Sequence, residues 1–133
     1  MHKVVVDTNV FISGILFGGN PQKIIEAWLS RKYIFCLSPE LKAEILNKLQ
    51  KKFLLSNQAL QTIEEALDSK TEESIPKKKV FICKDPTDNF LLELADEVQA
   101  DYLISGDKLV LKLKQYNKTK ILSPKDFLKL LED

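Results

Sequence analysis

Six acidic positions recur at one kind of place in this chain. Asp7 follows the apolar run Val4-Val5-Val6, and Glu40 and Glu44 follow the run Tyr33 to Leu37. Asp85 and Asp88 follow Val80 to Cys83, and Asp107 follows Tyr102-Leu103-Ile104 across Ser105-Gly106. Carboxylates converging on one point cannot all stay ionised without a cation. An all-oxygen donor set with no His or Cys suits Mg²⁺ or Mn²⁺, bound as one ion or two. Such ions activate a water and stabilise charge on a phosphodiester during in-line displacement. His2, the one histidine, lies near the terminus, which argues against metal-free RNA cleavage by a histidine pair.

Each acid also has a plain local reading. Asp7 suits a turn or helix cap, and Asp85 before Pro86 suits an N-cap. Asp88, three residues on, could close a capping box, and Glu40 in a first helical turn suits the helix dipole. Glu44 lies one turn further in, where the dipole gives little. Asp107 could be an ordinary turn residue. The coincidence of position along four successive segments is what favours function.

The elements that would carry these acids alternate regularly. The run Val10 to Leu16 breaks at Gly18-Gly19, and Asn20-Pro21 reads as a helix start with Asn20 as cap. Ile24, Ile25, Trp28 and Leu29 follow at helical spacing. Residues 33–37 read as a second strand, and Ser38-Pro39 caps a helix carrying Leu41, Ile45, Leu46, Leu49 and Phe53. Ser56 caps another helix, and Ser69 to Lys79 reads as a loop. Val80 to Cys83 reads as a third strand, before a helix with Phe90, Leu91, Leu94, Ala95 and Val98. Residues 102–104 read as a fourth strand, and residues 108–114 fit strand or helix. Ile121-Leu122 makes a fifth strand, and Ser123-Pro124 starts a last helix. Strands alternating with amphipathic helices predict a three-layer α/β fold with a mainly parallel sheet. Ligands sit outside the carboxyl ends of such strands, so four junctions would deliver acids to one rim.

At 133 residues the chain is expected to form a single domain, residues 1–133. Its net charge of +1 gives no whole-molecule attraction to polyanions, so binding of nucleic acid needs a local patch. Lys77, Lys78, Lys79 and Lys84 flank the third apolar run, where they could follow an RNA backbone or simply solvate a loop. Cys36 and Cys83 read as buried small hydrophobes in a reducing compartment. No apolar run is long enough to span a bilayer and no secretory apolar region opens the chain, so a cytoplasmic protein with no membrane association is expected.

Four motifs resemble those of the PIN domain, a family of small metal-dependent nucleases. They are Val-Val-Asp-Thr-Asn-Val at 5–10, Leu-Ser-Pro-Glu-Leu-Lys-Ala-Glu at 37–44, Asp-Pro-Thr-Asp-Asn-Phe-Leu-Leu-Glu-Leu-Ala at 85–95 and Tyr-Leu-Ile-Ser-Gly-Asp at 102–107. The resemblance implies that Asp7, Glu44, Asp88 and Asp107 form the metal and catalytic site, with Glu44 favoured over Glu40. Thr8, Asn9 and Ser105 would support it by hydrogen bonding, and Asp85 would be accessory. It further implies strand order 3-2-1-4-5 and a Mg²⁺- or Mn²⁺-dependent endoribonuclease acting on RNA. The Asp-Pro-x-Asp and Ser-Gly-Asp forms resemble a toxin subgroup, which implies a homodimer silenced by a cognate antitoxin. Two other phosphoryl-transfer classes fit less well. Asn9 stands where haloacid-dehalogenase-like phosphatases need a second Asp, and residues 2–6 lack the paired acids of a receiver domain. A non-catalytic scaffold holding an ion or a basic partner is the remaining alternative.

Overall fold

Val4, Val5 and Val6 are completely or almost completely buried, which places their strand inside a sheet rather than at its margin. In the computed structural model, which describes residues 1–132, this strand is β1 (Lys3–Val6). It is followed by α1 (Thr8–Leu16), α2 (Gly19–Leu29), β2 (Ile34–Leu37), α3 (Pro39–Lys51), α4 (Asn57–Ser69) and β3 (Glu72–Glu73). Then come α5 (Pro86–Val98), β4 (Tyr102–Ile104), α6 (Lys108–Lys112), β5 (Gln115–Tyr116), β6 (Thr119–Leu122) and α7 (Pro124–Glu132).

The sheet order is β3-β2-β1-β4-β6-β5, with every pairing parallel except β5 against β6. Val4 stands opposite Phe35 on β2 and Tyr102 on β4, so the two strands flanking β1 run in step with it. The chain is therefore α/β with a mainly parallel sheet, and the expected order 3-2-1-4-5 matches when its fifth strand is β6. Phe35 packs against Phe11 and Trp28, bringing α1 and α2 to one face, while Tyr33 and Tyr102 hold Phe127 of α7. Leu91, Leu94 and Ala95 of α5 are fully buried and pack toward β1. Gly14 lets α1 and α2 approach closely: a Cβ there would stand 2.5 Å from the Pro21 carbonyl oxygen and from Ile25 Cγ1.

Local signals placed most helix starts. Ser38 accepts the Leu41 N–H, Ser56 the Ala59 N–H and Ser123 the Asp126 N–H through their hydroxyls. Asn20 does not cap α2; the helix begins at Gly19 with Gly18 as cap at φ 90°. Pro21 remains within the first turn, where its missing N–H has no helical partner to lose. Residues 108–112 are helical, and the chain then turns back as the short strand β5.

The third strand is not where the apolar run suggested. Val80 to Cys83 is not a strand; β3 is the acidic pair Glu72–Glu73, in register with Cys36 and Leu37. An edge strand needs no apolar face, and charge there discourages further pairing. The backbone at residues 80–83 is bonded to side chains of α5 instead, and Phe81 and Ile82 are exposed. Cys36 is buried as expected, but Cys83 is only partly so. Among the described residues no helix is long and apolar enough to cross a membrane.

Candidate active site

Asp7 extends β1 by one residue, its N–H donating to the Ile104 carbonyl oxygen at 2.9 Å. The chain then turns into α1, and the carboxylate divides its two oxygens between two tasks. Oδ1 caps the helix by accepting the Asn9 N–H at 3.1 Å, and Oδ2 accepts the Ser105 hydroxyl at 2.7 Å. The cap reading and the site reading are thus compatible. Asp7 is 5% exposed, and burial raises its carboxyl above the ordinary range. Hydrogen bonds from Ser105 and Asn9 oppose that shift, the negative charge of Asp107 adds to it, and Lys48 opposes it.

Ser105 links two of the expected acids. It closes β4, its hydroxyl donating to Asp7 and accepting the Asp107 N–H at 3.1 Å. Asp107 caps α6 through Oδ1, which accepts the Leu109 N–H at 2.7 Å. Asp85 caps α5 through Oδ1, which accepts the Thr87 N–H at 2.9 Å. Asp88, in the first turn of α5, is half-buried, and its carboxyl is pushed up to about 6. Burial is the main cause, followed by the negative charges of Asp85, Asp7 and Asp107. These four aspartates therefore share one electrostatic environment, drawn from β1, α5 and the end of β4.

Glu44 reaches the site through a lysine. Lys48 Nζ stands 3.1 Å from Glu44 Oε1 and donates to Asn9 Oδ1 at 3.4 Å. Its charge also lowers the proton affinity of Asp7 and Asp88. Lys48 was missed in the sequence, where its spacing of four from Glu44 reads as an ordinary helix-surface pair. The Thr8 hydroxyl, one residue beyond Asp7, is buried without a protein hydrogen-bond partner, as is Glu40 Oε2.

The lysines divide. Lys79 and Lys84 line a cavity with Phe81, Pro86 and Phe90. Lys77 and Lys78 line an adjoining hollow with Asp96 and Glu97, where acids offset their charge, and Glu93 borders both.

The PIN domain sequence model matches residues 3–109. The chain belongs to the PIN domain family. The four acids expected at the site, Asp7, Glu44, Asp88 and Asp107, lie inside the span matched to this PIN domain. An uncharacterised protein of Methanocaldococcus jannaschii is 32% identical over 143 residues, covering 98% of this chain and 92% of its own. The solved structure of the PIN domain endonuclease Utp24 shares the fold, with a TM-score of 0.53 and 22% identity. That match covers 91% of this chain and 84% of the other. PIN domains are generally nucleases, and those nucleases usually use divalent metal ions.

The residues present fit a hard dication in kind. The donors are oxygens, the Thr8 hydroxyl has unused bonding capacity, and the aspartates repel one another in a way that a cation would relieve. Among the described residues no three His, Cys, Asp or Glu side chains stand close enough to enclose an ion. Mg²⁺ seldom needs such a cage: it keeps several waters and takes one or two carboxylates plus substrate phosphate.

Proposed function

We propose that this PIN domain, as a single-domain protein, is a Mg²⁺- or Mn²⁺-dependent endoribonuclease that hydrolyses phosphodiester bonds of single-stranded RNA. The observation that carries the reading is the bridge from buried Asp7 through Ser105 to Asp107, with Asp88 in the same field. Asp7, Glu44, Asp88 and Asp107 would hold the metal, one or two of them directly and the others through its bound waters. When bound, the ion supplies a Lewis acid for the phosphoryl oxygen and lowers the pKa of a water.

The chain's own residues set the geometry. Ser105 and the Asn9 N–H hold the Asp7 carboxylate in one orientation, so it needs no reorganisation when substrate arrives. Asp107 is held likewise by the first N–H groups of α6. Asp85 is committed to capping α5 and acts on the site through its charge on Asp88. Lys48 holds Oε1 of Glu44 and leaves Oε2 free as a donor, and the same ammonium group stands ready to neutralise a phosphate oxygen.

The direct test incubates the purified protein with single-stranded RNA in Mn²⁺, in Mg²⁺ and in EDTA, beside Asp7→Asn. Cleavage by wild type alone, abolished by EDTA, supports the nuclease. Cleavage that survives EDTA or Asp7→Asn overturns the metal-site reading. If neither metal supports cleavage, the scaffold alternative takes its place.

For the cellular role we propose the toxin half of a toxin–antitoxin pair, homodimeric and silenced by a cognate antitoxin, acting in the cytoplasm. The motif forms at 85–88 and 105–107 support the toxin reading, and unpaired Cys36 and Cys83 suit a reducing compartment. Growth arrest on expression, lost in Asp7→Asn and relieved by co-expressing the product of an adjacent gene, is the expected outcome. Unimpaired growth with active enzyme in the cell would remove the toxin role.

A further inference from the structure

We infer that Phe81, with the cavity beside it, forms a nucleobase-stacking subsite that receives single-stranded RNA beside the acidic rim. The inference rests on the nuclease reading and deepens it by naming how the substrate is held.

The exposure of Phe81 is imposed by its surroundings. Val80 N–H donates to Glu93 Oε2 at 3.0 Å. Three residues on, the Asn89 side chain pairs with both backbone groups of Cys83, accepting its N–H and donating to its carbonyl oxygen, each at 2.9 Å. Asn89 and Glu93 are buried on α5, so both ends of the segment are fastened to a rigid helix. Between the fastenings Phe81 is 87% exposed and Ile82 is 56% exposed. With both ends so fastened, the segment presents its aromatic ring to water.

The surroundings of the ring match one class of ligand. Phe81 borders a cavity of about 520 Å³ that Lys79, Lys84, Pro86 and Phe90 also line, with Glu93 as its one acid, already bonded to the Val80 N–H. An aromatic face for a base, with lysines lining the same cavity for phosphates, is the usual recipe for single-stranded nucleic acid. The next residue after Lys84 is Asp85, the cap of α5, and Asp88 lies one turn further on. A strand stacked on Phe81 thus has its backbone beside the acidic rim. Duplex RNA offers no free base face, so the subsite selects unpaired RNA.

The test measures binding of a fluorescein-labelled single-stranded RNA of about ten nucleotides. It uses the full chain, with Ca²⁺ in place of Mg²⁺ or Mn²⁺ to hold back cleavage. Phe81→Ala is expected to raise Kd by about 5- to 150-fold, as loss of one base–aromatic stack does. Phe81→Trp is expected to keep the affinity, with its indole fluorescence quenched on binding; Trp28 is 3% exposed and stays silent. A duplex of the same sequence should bind more weakly and ignore Phe81→Ala. Unchanged affinity in Phe81→Ala, or equal loss on the duplex, overturns the subsite. So does a Phe81→Ala protein that turns from dimer to monomer in sedimentation while RNA affinity holds, since the ring then joins two copies. If wild type cleaves in Mn²⁺ and Phe81→Ala binds and cleaves equally, the subsite alone falls. If wild type neither binds nor cleaves, the nuclease reading falls with it.

Discussion

Replacing Ser105 by alanine deletes one hydroxyl that is fully buried and bonded on both sides. Its donation to the Asp7 carboxylate at 2.7 Å is a charge-assisted bond, worth about 1.5–3 kcal/mol. Its acceptance of the Asp107 N–H at 3.1 Å is a neutral bond worth about 1 kcal/mol. The two are not fully additive, because Asp7 can take up a proton when its partner is lost, and that limits the damage. The expected cost is therefore about 2–3 kcal/mol, or about 6–12 °C in Tm for a chain of this length. In an Asp7→Asn background the same deletion removes a neutral bond, so it should cost about 1 kcal/mol less. Thermal and urea melts of wild type, both single variants and the double variant, in EDTA, give that coupling directly. A Ser105→Ala cost below about 0.5 kcal/mol, or an equal cost in both backgrounds, would refute the charge-assisted bridge.

Other perturbations test the same picture. Because the Asp88 carboxyl is raised to about 6, the folded chain holds that proton more tightly than the unfolded chain does. Metal-free stability should then fall as pH rises from about 4 to about 7, by roughly 1 kcal/mol after solvent screening of a half-exposed group. Urea midpoints at about pH 5 and about pH 7.5 should show the drop in wild type and a smaller one in Asp88→Asn; matching slopes would sink the idea. Gly14→Ala gains helix propensity of about 1 kcal/mol but drives a Cβ into the Pro21 carbonyl. The clash wins, and a net loss of about 1–2 kcal/mol is expected; a higher urea midpoint would contradict it. Asn89→Ala should free residues 80–84, costing about 1–2 kcal/mol and speeding tryptic cleavage at Lys79 and Lys84. Unchanged proteolysis would mean that the segment is held by something else.

Most of the site's address was readable from residue order. Ser38-Pro39 and Ser123-Pro124 mark helix starts because capping is a matter of a few neighbouring atoms. Val4-Val5-Val6 marks a central strand because only a strand covered on both faces can be apolar throughout. With strands so placed, Asp7 and Asp107 had to fall at one edge; Asp88 lies in the first turn of α5, without the strand expected before it.

What the chain order concealed depends on contacts between distant residues. Val80 to Cys83 has the composition of a strand, yet its backbone groups are claimed by Asn89 and Glu93 from α5. Glu72 and Glu73 have the composition of a loop, yet β2 supplies the partner that makes them a strand. Nothing in the chain order singles out Lys48, and only the packing of α3 against α1 lets it span Glu44 and Asn9. Composition and spacing by themselves determined the alternation of most elements and the strand ends that carry Asp7 and Asp107, because both follow from local geometry; Asp85 and Asp88 follow an irregular segment instead of the expected strand. Only the tertiary structure decided which segment fills the sheet edge, which cation meets Glu44 and which aromatic ring is left facing water. Burial and hydrogen-bond partnership belong to pairs of residues far apart in the chain, and no single stretch carries them.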